Sequence, residues 1–96
     1  MRPSLLLEAH SLAIREIAQS HRVRNIRVFG SVVHGEDTEG SDLDILVEPT
    51  ADTTLMDIAA IQVELERLLG ISVDVLTPNA LPDKFRGKVL AEAVAV

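Results

Sequence analysis

Cysteine, tryptophan and tyrosine are absent from this 96-residue sequence, and phenylalanine occurs only at Phe29 and Phe85. Without cysteine there can be no disulfide and no thiolate metal site, so any metal must be held by oxygen or imidazole, which favours hard cations. Without Trp or Tyr the core falls to Leu, Ile, Val and Ala, and the usual side chains for stacking single-stranded bases are missing. Basic residues are also scarce. Nine Lys and Arg face fifteen Asp and Glu, a formal charge of −6, which opposes sequence-independent attraction to nucleic-acid phosphates, and no direct nucleic-acid partner is expected. No apolar run reaches membrane-spanning length. The early stretch Met1 to Ile14 is interrupted by Glu8 and His10, unlike a signal peptide, so a cytoplasmic protein without a membrane partner is expected.

What is present suits a folded chain. Apolar residues make up 47% and charged ones 25%, and the length fits one domain spanning residues 1–96. Ser4 is a candidate cap for a helix whose Leu5, Leu6, Ala9, Leu12, Ala13 and Ile17 recur at three- and four-residue spacings. Polar residues from Gln19 to Asn25 separate it from a short strand, Ile26 to Phe29, that stops at Gly30. Gly35 to Ser41 reads as a surface loop and the most mobile segment. A second strand follows at Leu43 to Val47, ended by Pro49. Thr54 and Asp57 form a capping-box pattern before the apolar stripe Leu55 to Leu69, with Gly70 as a stop. Ile71 to Leu76 predicts a third strand, and Leu81 to Ala95 a last helix entered through Pro82. This order implies an α/β or α+β fold, a sheet packed with helices. The second and third strands can be parallel or antiparallel neighbours.

The acids carry the chemistry. Asp42 and Asp44 are two residues apart, and strand periodicity puts both side chains on one face, with Cα atoms roughly 6 to 7 Å apart. Asp74 is a lone acid inside an apolar strand. Buried without a partner it would cost several kcal/mol, so it needs a cation or donors nearby, unless it faces water from an edge strand. Three carboxylates on adjacent strands suit one or two Mg²⁺ ions, an arrangement that clamps attacking and leaving oxygens in phosphoryl-type transfer. Gly30 and Ser31, after the first strand, offer close backbone approach and a hydroxyl to a phosphate.

Gly30-Ser31-Val32-Val33-His34-Gly35, followed by Ser41-Asp42-Leu43-Asp44-Ile45-Leu46-Val47, resembles the signature of the polymerase beta nucleotidyltransferase superfamily, in particular its minimal nucleotidyltransferase (MNT) branch. With Asp74 as the third acid and the closing segment Val89 to Val94, the resemblance covers nearly the whole chain. It implies the small nucleotidyltransferase fold, a mixed sheet of three to four strands packed with helices. It implies Asp42, Asp44 and Asp74 as metal-binding and catalytic residues, and Gly30 and Ser31 as phosphate-holding ones. His34, Gly35 and Ser41 of the same signature join them as nucleotide-binding candidates. It further implies Mg²⁺ and ATP, and a helical HEPN toxin that this chain binds as antitoxin and modifies with AMP on a hydroxyl. The alternative is an antitoxin that acts by binding alone. A homodimer and a toxin-antitoxin hetero-oligomer are both compatible with the apolar C-terminal residues. Small members of the family usually carry Ala-Arg where this chain has Val33-His34. An imidazole can still donate to a phosphate, or simply sit exposed in a turn, but it lacks a fixed guanidinium charge.

Overall fold

The computed structural model describes residues 1–96. Helix α1 (Pro3–Gln19) leads into strand β1 (Val23–Phe29). Strand β2 (Leu43–Pro49), helix α2 (Leu55–Leu69), strand β3 (Val73–Leu76), helix α3 (Asp83–Glu92) and the two-residue strand β4 (Val94–Ala95) follow. The four strands form one mixed sheet in the order β3-β2-β1-β4, an α+β arrangement. β2 runs antiparallel to β1 and parallel to β3. The parallel relation fits α2 as the crossover that a parallel pair requires.

β1, β2 and β3 each bury one face. Leu43, Ile45 and Val47 of β2 join Val28 of β1 and Val73 and Val75 of β3 in a single core cluster with Ile14 and Ala18 of α1 and Ile61, Leu65 and Leu69 of α2. Period two sends the alternate residues to the opposite face. Leu46, fully buried but outside that cluster, packs there, as does Leu81.

α2 carries its own boundaries. The Thr54 side chain accepts from the Asp57 N–H while the Asp57 carboxylate accepts from the Thr54 N–H, completing the expected box, and Gly70 closes the helix at φ +70°. α1 departs from expectation at its start. Pro3 occupies its first turn and Arg2 is the cap residue without a capping side chain. Ser4 receives rather than supplies a cap, its N–H donating to Asp37 Oδ2 at 2.8 Å. This hydrogen bond holds the Asp37 carboxyl below its ordinary range. Asp37 is buried, so the 35–41 loop is pinned to α1.

Strand boundaries also move. β1 begins at Val23, not Ile26. A register shift between Arg24 and Arg27, with Asn25 at φ +53°, absorbs the polar pair in a bulge that a search for apolar alternation passes over. β3 starts at Val73 instead of Ile71. The last helix stops at Glu92, because β1 offers a free edge: Val94 and Ala95 pair with Val28 and Arg27, and the Val96 N–H donates to Ile26 O at 3.1 Å. No helix is long and apolar enough to cross a membrane.

Candidate active site

The sheet face away from the α1–α2 core carries the predicted acids. In the register, Phe29 stands opposite Asp44 and Asp44 opposite Asp74, so the three form one cross-strand row on one face. The next row is Arg27, Leu46 and Leu76. Asp42, one residue before β2, is exposed, and Asp44 is half-buried between β1 and β3. Asp74 is exposed on the edge strand β3, so it needs no buried partner. The open edge lets it face water while it stands beside Asp44.

Asp44 is the electrostatic centre. Burial pushes its carboxyl up to about 6, helped by the negative charges of Asp74 and then Asp42. At neutral pH the row therefore concentrates negative potential that a cation would relieve. The three acids do not converge into a closed three-ligand cluster. An open set of carboxylates is what Mg²⁺ takes, since it keeps several waters and uses one or two carboxylates together with substrate phosphates. The donor set therefore fits Mg²⁺ carried with a nucleotide and does not form an all-protein cage.

The glycine turn is fitted to this carboxylate. β1 ends in a 3₁₀ turn, Gly30–Val32, with Gly30 at φ +80°. A Cβ at Gly30 would collide with Asp44 Oδ2. Glycine is thus favoured twice over: the backbone conformation strains other residues, and any Cβ would have to displace the Asp44 carboxylate. Ser31 follows, half-buried, and its carbonyl accepts from the Glu36 N–H at 2.9 Å. Gly35 ends the turn at φ +68°.

Two other candidates have protein partners. Ser41 Oγ accepts from the Thr38 N–H at 2.9 Å, closing the loop that leads to Asp42. His34 Nε2 lies 2.8 Å from Glu92 Oε2 at the end of α3. Both His34 and Glu92 line a cleft of about 350 Å³ between the glycine turn and α3, together with Phe29, Gly30, Phe85 and Val89. Sequence reasoning missed the α3 wall of this cleft. The helix has Gly87 inside it and no buried residue, so it lacks the strong apolar stripe that would have marked a packed face.

A family model described as the nucleotidyltransferase domain matches residues 11–96. A Methanocaldococcus jannaschii relative named as a candidate protein adenylyltransferase is 41% identical over 80 residues, 83% of this chain and 86% of its own length. The protein adenylyltransferase MntA of Thermococcus cleftensis is 38% identical over 91 residues, 95% of this chain and 89% of its own. A solved structure described as a candidate minimal nucleotidyltransferase superposes with a TM-score of 0.86 at 39% identity, covering 97% of this chain and 95% of that one. A toxin-antitoxin structure with AMP-PNP has a TM-score of 0.72 over 85% of this chain and 68% of that one. At 19% identity, that likeness speaks for the fold alone.

Proposed function

The chain belongs to the nucleotidyltransferase domain family and is a nucleotidyltransferase enzyme of the minimal type, and from that premise we propose that it transfers AMP from ATP, with Mg²⁺, to a hydroxyl of a HEPN-type toxin partner and acts as that toxin's antitoxin. The observation that carries this reading is the half-buried Asp44 held between Asp74 and a glycine turn that leaves no room for a side chain. Asp42 and Asp44 are the residues that would hold the metal, with Asp74 as third carboxylate. Mg²⁺ bound there supplies neutralisation of the triphosphate charge.

The chain's own groups account for the remainder. The Gly30–Val32 turn presents backbone N–H groups and the Ser31 hydroxyl toward phosphate oxygens, with Gly35 allowing the turn to close. Asp74, exposed on the edge strand, is open to an incoming acceptor and takes its hydroxyl proton. The acceptor oxygen then bonds to the α-phosphorus, and the α–β phosphoanhydride bond breaks with release of pyrophosphate. Alignment and electrostatic stabilisation supply most of the rate. Relatives named protein adenylyltransferases support a protein as the acceptor.

A second reading has its own observation. His34 is engaged with Glu92, and without the family's guanidinium the triphosphate is held less firmly, which favours an antitoxin that works by binding alone. The intact mass of the co-encoded partner, after incubation with this chain and MgATP, separates the two. Gain of one or more AMP units with wild type, lost by at least about 100-fold in rate with Asp42→Asn/Asp44→Asn, is expected. A stable complex with no mass gain would leave binding alone.

A further inference from the structure

The side-chain hydrogen bonds that tie α3 to the rest of the chain lie near its two ends. Near its start, Arg86 donates from Nε to Pro78 O at 2.8 Å and from Nη2 to Leu81 O at 2.8 Å. At its last residue, Glu92 accepts from His34 Nε2 at 2.8 Å, a link across 58 positions of sequence. Between these anchors the helix buries no residue. The cleft lies along this span; just past Glu92 the chain is also tied to β1 by Val94 and Ala95, and the His34–Glu92 bond is the side-chain link that joins α3 to the glycine turn itself.

His34 is part of that turn. Its N–H points to Gly30 O at 3.4 Å, and Gly35 beyond it takes a conformation favoured by glycine. With Nε2 engaged by Glu92, only Nδ1 is left for any other partner. The side chain is thus placed to hold the turn to α3. Resting on the nucleotide site proposed above, we propose that Glu92 is a positioning residue for that site: through His34 it fixes the glycine turn against α3 and so sets the shape in which triphosphate is received.

The test is a double-mutant cycle read by calorimetric binding of MgATP to the purified chain, alongside amide hydrogen exchange of the nucleotide-free protein. Both sites are partly exposed, so the coupling is modest. Glu92→Ala and His34→Ala should each weaken MgATP by about two- to five-fold, and the double variant should be no weaker than either. His34→Gln, which can still donate to Glu92, should bind like wild type. Exchange should speed up at Val89 to Glu92 in both alanine variants. Effects that multiply in the double variant would overturn the proposal, since the two residues would then act separately. So would unchanged or tighter binding in Glu92→Ala together with weaker binding in His34→Ala, because that marks His34 as a direct phosphate ligand. Faster exchange with unaltered affinity reduces the pair to a structural tie and also overturns it. A wild type that binds no MgATP removes the function proposed for the site, and the exchange data still decide whether the latch exists.

Discussion

α2 and α3 flank the same sheet and are built on opposite terms. α2 has a complete capping box, a left-handed glycine stop and three buried side chains, Ile61, Leu65 and Leu69. α3 has no side-chain cap, a glycine in its middle and no buried residue, and its Phe85 is 51% exposed. The division follows the two faces of the sheet. The α1–α2 face is a closed apolar core, whereas the α3 face holds three carboxylates, a cleft and a hydrogen-bonded latch. Stability is concentrated on one side, which leaves the other free to carry charge and stay open.

The largest expected effect tests that division directly. Leu65 is fully buried in the core, and Leu65→Ala should cost about 2–5 kcal/mol through lost transfer energy and a residual cavity. That is a large part of the roughly 5–15 kcal/mol that holds a domain of this size together. The companion change Phe85→Ala should stay within about 0.5 kcal/mol, as for surface substitutions generally. Urea midpoints at constant slope measure both. Equal losses would show that α3 belongs to the same cooperative core.

A smaller effect, of opposite sign, is expected from the charged face. Asp44 titrates near 6 in the folded chain against 3.8 for the ordinary group, so the folded state binds the proton more tightly. Its contribution to stability is complete below about pH 4 and is lost as pH rises through 6. A shift of that size corresponds to at most about 3 kcal/mol, and partial exposure lowers this to on the order of 1–2 kcal/mol. Asp44→Asn should therefore be more stable than wild type at pH 7, with the difference appearing between pH 4 and 6 and nearly vanishing below pH 4. Thermal melts across that range provide the measurement, and a pH-independent difference would remove Asp44 as the source. A variant that is more stable but without transfer activity is the expected signature of a site held at a cost to the fold.

The two faces also differ in how far the sequence reveals them. α2 could be read almost to the residue because caps, stripe and stop are all local signals. Asp42 and Asp44 could be assigned to one face because strand period is local as well. Asp74 was recognisable as a candidate, but its edge position stood only as one of two alternatives, since strand order is a property of the whole sheet. The parallel pairing of β2 with β3 was open for the same reason. Ser4 looked like a cap, and only the folded chain brings Asp37 to that end of α1 from 33 residues away. The mobile loop inferred from Gly35 to Ser41 is stapled through that same contact. β4 was hidden in a helical pattern because two residues pairing with a free strand edge leave no periodicity to detect. Glu92 had no visible role, since its partner lies 58 residues earlier.

Helix ends provide the finest comparison. Thr54 is exposed and touches neither the core nor the cleft, yet its hydroxyl satisfies the Asp57 N–H and its own N–H is satisfied in return. Thr54→Ala removes one half of that exchange and should cost about 1 kcal/mol, while MgATP affinity stays at the wild-type value because no atom of the box reaches the carboxylate row. At the start of α3, Pro82 has no side chain able to cap, so that helix has no such term to lose and is tied down by Arg86, by Glu92 and by the β4 pairing that follows it. Chemical denaturation and calorimetry on the same Thr54→Ala sample give both numbers. If the cap variant lost nucleotide affinity along with stability, the two faces of the sheet would be coupled, and the independence of the site from the core that supports it would fail.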